Sequence, residues 1–233
     1  MGRPLRTLLV LVAVAVVLVA GGLAFYLVVL RDDPPDRVAL SPESAPADTP
    51  ADATPEGRWV VRTGDDSFVG YRVRETFAGL SVASDAVGRT HDVQGSLTVD
   101  GDTSLSAADV RAGLQALESD EDRRDNAIRN RGLETNRFPE ATFALTEPLP
   151  LPSPATPGED VSVTAMGDLT LHGVTRQVEV PVQARWDGSS TIQVVGTLDI
   201  AFADYDIDPP NVGGFVSVED EGELELQLTF VRA

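Results

Sequence analysis

The stretch Gly167-Asp168-Leu169-Thr170-Leu171-His172-Gly173-Val174-Thr175-Arg176 is the most informative part of this chain for its fold. Leu169 and Leu171 alternate with polar residues, which is the pattern of a strand with one buried face. Gly173 supplies the backbone freedom that a tight turn requires. We interpret the stretch as a strand, a glycine turn and the start of a second strand.

Alternation of apolar and polar residues continues on both sides of this hairpin. It is present in the segments 69–73, 93–99, 141–145, 161–171, 178–186, 192–202 and 224–230. An apolar face opposite a polar one indicates an antiparallel sheet with one solvated side. Strands of about ten residues are long for a sandwich and favour a barrel. We therefore expect an all-β antiparallel barrel.

One short helix is predicted between Ser119 and Gly132. Ser119 suits the N-cap position, and Gly132 suits the end of the helix. Acidic residues occupy the first turn at 120–122, whereas Arg129 and Arg131 occupy the last turn. These charges complement the helix dipole.

The segment 8–30 predicts a transmembrane helix. It is a run of 23 residues without a charged side chain. At about 1.5 Å per residue it would span roughly 35 Å, enough for a bilayer core of about 30 Å. Arg3 and Arg6 precede the run, so residues 1–7 should stay cytoplasmic and the rest of the chain should lie outside the cell membrane. The alternative is a cleaved signal peptide, but the run is longer than such a core and lacks a small-x-small cleavage site.

The segment 31–57 predicts a disordered linker. Six prolines are scattered through it among Asp, Ala, Ser and Thr. Such a composition buries too little apolar surface to offset the entropy of ordering. We therefore place the folded domain at residues 58–233.

Composition excludes several classes of function. The net charge is −19, which argues against a nucleic-acid partner because phosphate binding needs clustered basic residues. The chain has no cysteine, which excludes disulfides, cysteine nucleophiles and thiolate metal sites. The two histidines, His91 and His172, are far apart in the sequence, and His172 suits a structural role in its turn. No serine-nucleophile elbow and no glycine-rich phosphate loop is present. We expect no catalytic residue, no metal and no cofactor, and hence no enzyme.

Three blocks, taken in order, resemble the YceI-like family. They are Leu117-Glu118-Ser119 with Arg124-Asp125-Asn126 and Phe138-Pro139-x-Ala141-Thr142-Phe143, then Gly167 to Arg176, then Phe202-Ala203-Asp204-Tyr205 with residues 213–220. The resemblance covers most of residues 58–232. It implies a lipocalin-like antiparallel β-barrel of about eight strands that holds a long isoprenoid lipid.

Two positions depart from the family pattern. Asn126 follows the Arg-Asp pair where members often have His, and Ala201 precedes Phe202 where typical members have Arg. These departures bear on contacts with a ligand head group and leave the expected fold unchanged.

The segment 107–117 admits two interpretations. Ser106 and Asp109 could cap a helix, whereas Val110, Ala112 and Leu114 also alternate as in a strand. The family resemblance favours the strand.

The resemblance implies a lipid carrier or sequestering protein with a polyisoprenoid or quinone-like ligand. The run 8–30 adds the expectation that this protein is extracytoplasmic and tethered to the membrane by its N-terminal helix. The candidate lining residues of the barrel are Tyr71, Val73, Phe143, Leu169, Val180, Val182, Ile200, Phe202, Leu226 and Leu228. Arg124 and Asp125 are expected at the barrel mouth, with an exposed charged pair as the alternative. Inward apolar residues suit a filled core as well as a pocket, so an envelope stress or protein-interaction module without a lipid stays open. A homodimer also stays open.

Overall fold

The computed structural model of the protein describes residues 12, 14–18, 34–41, 53–77, 83–101, 103–151, 155–209 and 216–233. The chain divides into two units, Met1–Pro35 and Asp36–Ala233. In the first unit, residues 14–18 are helical, and their valine and leucine side chains are exposed. Among the described residues, no helix has the length and apolar character needed to cross a membrane. Most of the predicted span 8–30 lies outside the described residues.

The second unit consists mainly of β-strands. In its described part we number thirteen: β1 (Gly57–Val61), β2 (Phe68–Phe77), β3 (Ala83–Thr90), β4 (Val93–Asp100), β5 (Ser104–Gly113), β6 (Glu118–Ser119), β7 (Glu140–Leu145), β8 (Leu149–Pro150), β9 (Asp160–Leu171), β10 (Val174–Trp186), β11 (Thr191–Ala201), β12 (Val216–Val218) and β13 (Glu221–Arg232). The long strands coincide with the alternating segments of the sequence. Every pairing between them is antiparallel.

The sheet closes on itself because β1 pairs with both β4 and β13. The ring runs β1-β4-β5-β7-β9-β10-β11-β13, which makes eight strands among the described residues. β13 pairs with β1 near its C-terminal end and with β2 nearer its N-terminal end. β3 pairs with β2, and β6 pairs with β3. The short strands β8 and β12 pair with β5 and β2. The prediction of an all-β antiparallel barrel of about eight strands with one short helix is confirmed.

The hairpin between β9 and β10 has a two-residue turn, since Leu171 pairs with Val174. His172 and Gly173 have φ values of 52° and 78°. Positive φ at both positions is the type I′ geometry that matches the twist of paired strands. His172 Nδ1 donates to the carbonyl oxygen of Tyr205 at 3.0 Å. The histidine therefore has a structural role and fastens the hairpin tip to the neighbouring turn.

The ambiguous segment 107–117 is mostly a strand. β5 continues to Gly113, as the resemblance favours, and a single 3₁₀ turn follows at Leu114–Ala116. Leu114 is buried, and its amide donates to the carbonyl oxygen of Pro139 at 2.8 Å. The turn departs from the expected strand because it carries Leu114 into the core at the end of the barrel.

The helix begins later than predicted. Helix α1 spans Asp122–Ala127, and a π-helical turn, Ile128–Gly132, follows it and ends at the expected glycine. The N-cap is Glu121, not Ser119. Ser119 belongs to β6, and both its amide and its hydroxyl donate to the carboxylate of Asp125. The serine cannot cap the helix because it is already held in the sheet.

Two clusters of buried residues lie toward opposite ends of the barrel. The Trp59 cluster comprises Trp59, Val61, Val93, Leu97, Val99, Ala112, Trp186, Ile192, Leu228 and Phe230. The Tyr205 cluster comprises Leu114, Leu169, Leu171, Ile200, Phe202, Tyr205 and Ile207. The strand register separates them, since Phe230 pairs with Ile192 near one end of β13 whereas Gly222 pairs with Ile200 near the other.

Parts of the predicted linker contact the barrel. Arg89 donates to the carbonyl oxygen of Asp36 at 3.1 Å, and Arg37 forms an ion pair with Glu223. Closer to the barrel, Arg232 donates to the carbonyl oxygens of Thr54 and Glu56, each at 2.9 Å. Most of the remaining linker lies outside the described residues, so its disorder and the domain boundaries stay predictions.

Gly167 lies on β9, shortly before the His172-Gly173 turn. A side chain at this position would not fit between the neighbouring residues. A Cβ at this position would lie 2.3 Å from Cζ of Phe143 and 2.6 Å from the carbonyl oxygen of Ala144. Both distances are far inside van der Waals contact. The glycine therefore allows the Phe143 ring to lie against the neighbouring strand.

We expect Gly167→Ala to destabilise the barrel by about 1–3 kcal/mol, because overpacking forces side chains and backbone to shift. Urea unfolding of the full chain, followed by the fluorescence of the buried Trp59 and Trp186, measures the effect. Gly132→Ala is the matched control, since a Cβ there meets nothing within 4 Å. Equal stability of the two variants would contradict the packing argument.

Candidate functional site

A cavity of about 220 Å³ lies inside the barrel and is partly open to solvent. Its walls are the inward-facing, almost entirely apolar side chains of the ring strands and of β2. They include Val69, Leu97, Val99, Val110, Phe143, Val163, Ala165, Leu169, Val180, Val182, Ala184, Trp186, Val194, Leu198, Leu224, Leu226, Leu228 and Phe230. The interior is therefore a hydrophobic pocket.

Small side chains leave the middle of the barrel hollow. Ala108, Ala112, Ala141, Ala165 and Ala184 line the cavity together with several valines. An eight-stranded barrel has room for packed side chains or for one small ligand, and alanine and valine do not reach across it. An engineered apolar cavity of about 150 Å³ stays dry and takes up benzene, so a larger one with this lining favours an apolar guest over water.

Six of the ten predicted lining residues lie along the cavity. They are Phe143, Leu169, Val180, Val182, Leu226 and Leu228. Each lies on a long ring strand, where alternation alone identifies the inward positions. Contact between these residues and a ligand stays a prediction.

The other four predicted lining residues lie outside the lining of this cavity, and their contact with a ligand stays a prediction. Ile200 and Phe202 belong to the Tyr205 cluster, and Val73 packs against it. Tyr71 packs against Gly88, where a Cβ would lie 2.4 Å from the ring. All four side chains face inward, but they lie toward the closed end, where packed side chains leave no cavity.

The sequence prediction missed other parts of the lining. Val110 and Ala112 on β5 and Trp186 on β10 follow the same alternation, which would have identified them. Pro55 and Leu151 also line the cavity, but they lie outside the strands. No periodic signal marks residues of that kind.

The cavity opens at the end of the barrel where β9 begins. Thr156 and Glu159, just before that strand, are the exposed residues of the described lining. Pro55 forms part of the same wall, and its carbonyl oxygen accepts a hydrogen bond from Trp59 Nε1 at 2.8 Å. We call Pro55, Leu151, Ala155, Thr156 and Glu159 the mouth. The Tyr205 cluster closes the opposite end.

Arg124 and Asp125 lie at the closed end, not at the mouth where they were expected. Helix α1 follows β6, which pairs with β3 far from the start of β9. Arg124 Nε and Nη2 donate to the two carboxylate oxygens of Glu75 at 2.9 and 3.1 Å. Both side chains are less than a tenth exposed. Arg124 therefore holds helix α1 against Glu75 of β2, and Asp125 holds the helix against Ser119 of β6. Both contacts stabilise the end of the barrel opposite the mouth.

Burial and neighbouring charges shift the pKa values of Tyr71 and Arg124 at this end of the barrel. Burial raises the pKa of the Tyr71 phenol well above its ordinary value, so the neutral form is favoured. Burial alone would lower the pKa of Arg124, but the hydrogen bond and charge of Glu75 raise it. The guanidinium therefore remains protonated and paired beside a neutral phenol.

Neither histidine forms part of a metal site in the described structure. His91 Nδ1 lies 3.0 Å from the carbonyl oxygen of Ser67, and its ring meets Phe68 edge-on. Among the described residues, no group of three or more potential His, Asp or Glu ligands could hold a metal ion.

Comparison with known proteins identifies relatives of the barrel. The YceI-like domain family matches residues 59–230. UPF0312 proteins from two strains of Vibrio vulnificus are 27% identical over 140 residues, which are 57% of this chain and 70% of theirs.

Two solved structures share the fold. A polyisoprenoid-binding domain from Saccharophagus degradans, implicated in plant cell wall breakdown, is 18% identical with a TM-score of 0.60, covering 76% of this chain and 99% of that domain. BcnA of Burkholderia cenocepacia is 17% identical with a TM-score of 0.50, covering 72% and 98%.

We expect Tyr71→Phe to reduce the loss of stability at alkaline pH. The pKa of Tyr71 is raised in the folded state, so its contribution is complete below pH of about 10 and is lost as the pH rises further. The slope from this residue is at most about 1.4 kcal/mol per pH unit. Urea unfolding between about pH 9 and pH 12, a range that begins about one unit below the ordinary pKa of a phenol, measures it. An identical slope in both proteins would contradict the assignment.

Proposed function

This chain belongs to the YceI-like family, and we propose that its barrel binds a long apolar lipid of the polyisoprenoid or quinone type. The protein acts as a carrier or store, because the described barrel offers a binding cavity without a catalytic constellation. The observation that carries the proposal is the open apolar cavity inside the eight-stranded ring.

The energetics favour an apolar chain in this cavity. Burying one CH₂ group is worth about 0.8 kcal/mol, so roughly ten buried groups contribute about 8 kcal/mol. Association costs about 4–15 kcal/mol in lost motion, which a longer chain with more buried groups offsets. A short apolar molecule gains too little, so the proposal specifies a long chain.

The relatives support the same ligand class. The Saccharophagus degradans domain, which shares the fold, is a polyisoprenoid-binding domain. A filled barrel that binds only proteins is the alternative, and the cavity disfavours it because a filled core would leave no such space.

We also propose that the protein is anchored in the cell membrane with the barrel on the extracytoplasmic side. The charge-free run 8–30 and the preceding Arg3 and Arg6 support this orientation. Exposed Val14, Val16 and Leu18 in the helical residues of the run suit contact with lipid. A tether of this kind keeps the barrel close to the bilayer that supplies the lipid.

We expect Ala184→Trp to reduce lipid retention at least about tenfold, because the indole would occupy the space that a chain of bound CH₂ groups needs. Ala184 lines the cavity, whereas the neighbouring Gln183 is exposed on the outer face of β10. Gln183→Trp is therefore the matched control. Native mass spectrometry of the full chain, purified in detergent from its native host, measures the bound mass.

Retention by Gln183→Trp together with loss by Ala184→Trp supports the cavity as the binding site. Equal retention by both folded variants would contradict it. A wild-type protein that carries no lipid and takes up no added long-chain prenol would overturn the proposed function itself.

For the anchor, we expect that deleting residues 8–30 moves the protein from the membrane fraction to the soluble fraction. An uncleaved helix of this length partitions into the bilayer and keeps the wild-type protein in the membrane fraction. If the segment were a cleaved signal, the mature wild-type protein and the deletion variant would both be soluble. Fractionation of cells, with N-terminal sequencing of the mature protein, distinguishes the two. A mature N-terminus beyond residue 30 would contradict the anchor.

A further inference from the structure

We propose that the mouth selects lipids whose polar end is uncharged, such as a prenol or a quinone, against the corresponding prenyl phosphates. This inference rests on the proposed function and specifies its ligand class. It depends on which end of the lipid lies at the mouth and on the charges found there.

The polar end of a bound lipid must lie at the mouth. The opposite end of the cavity is closed by the Tyr205 cluster, which includes Leu171, Ile200 and Phe202. A polar group pushed to that end would lose its hydration among apolar side chains, which costs several kcal/mol for a neutral group and far more for a charged one. The apolar tail therefore enters first.

The charge at the mouth is negative. Glu159 is exposed and lines the opening, whereas the other acidic residue of the lining, Glu225, is deeply buried. Glu225 is neutralised from the outer face of the sheet, where its carboxylate lies 2.6 Å from Arg72 Nε and 3.5 Å from Arg89 Nη2. Among the described residues, no arginine lines the cavity.

The arginines near this end are engaged elsewhere. Arg185 Nε donates to Asp160 at 2.6 Å, and its Nη1 donates to the carbonyl oxygen of Ser41. Arg232 lies over the Trp59 ring, 4.5 Å from its centroid, and donates to backbone carbonyl oxygens. The undescribed segments that flank the mouth in the sequence, 42–52 and 152–154, contain neither Arg nor Lys.

A phosphate at the mouth would meet the Glu159 carboxylate without a compensating cation. Like charges placed together at a binding surface weaken the wrong complex, and this is a common source of specificity. An alcohol or carbonyl oxygen carries no net charge and keeps its contact with water at the exposed mouth. The mouth therefore discriminates by repulsion, and the apolar cavity supplies the affinity.

The test is a competition on the full chain in detergent, with a long-chain prenol and its monophosphate of equal length offered together. Native mass spectrometry measures the ratio of the two bound species. We expect wild-type protein to favour the prenol by about tenfold at low salt, with a smaller preference at high salt because ions screen the repulsion. We expect Glu159→Arg to shift the ratio toward the phosphate by about tenfold or more.

Glu179→Arg makes the same change of charge on the exposed outer face of β10 and should leave the ratio unchanged. Equal binding of both lipids by wild-type protein, or a preference for the phosphate, would overturn the inference. An equal shift in both variants would also overturn it, because net charge and not the mouth would then decide. If neither lipid binds, the proposed function fails, which is a separate result.

Discussion

Pairing between β1 and β13 closes the sheet into a barrel and thereby sets the geometry of its interior. It removes the free edges of the ring and gives each strand two neighbours. It also fixes which side of every strand faces the interior, since side chains alternate along a strand. Inward valine, leucine and alanine side chains then form one continuous apolar wall. The cavity and its closed end are consequences of that arrangement.

The barrel is packed at its closed end and hollow toward its mouth. Aromatic and large aliphatic side chains fill the Tyr205 cluster, whereas residues of the Trp59 cluster line the cavity together with alanine and valine. An unfilled apolar cavity costs stability in proportion to its volume, because the lining atoms lack partners. A sequence that keeps small residues there is consistent with a guest that supplies those contacts. This relation connects the packing of the barrel to the proposed lipid.

The buried charged residues of the two networks described above form ion pairs that stabilise the fold, whereas an exposed charge lies at the mouth of the cavity. Arg72, Arg89 and Glu225 form a network on the outer side of the sheet, while Arg124 and Glu75 form one at the closed end. Removing one partner from such a pair leaves an uncompensated buried charge, which is strongly destabilising. These arginines are therefore committed to the fold. Glu159, in contrast, is exposed at the mouth, where its carboxylate faces the polar end of a lipid that enters the cavity.

The strands, their inward faces and the glycine turn at His172-Gly173 could be predicted from the amino-acid pattern, because alternation and turn chemistry are local properties of the chain. It also determined the family, through blocks such as Phe138 to Phe143 and Gly167 to Arg176. Six lining residues on long strands followed from the same periodicity. The position of each inward residue along the lumen became clear from the three-dimensional structure, in which Tyr71 and Phe202 lie toward the closed end. The folded structure also places Arg124 opposite the mouth and leaves a cavity inside the ring, because register, closure and the distance across the barrel arise from contacts between residues far apart in the sequence.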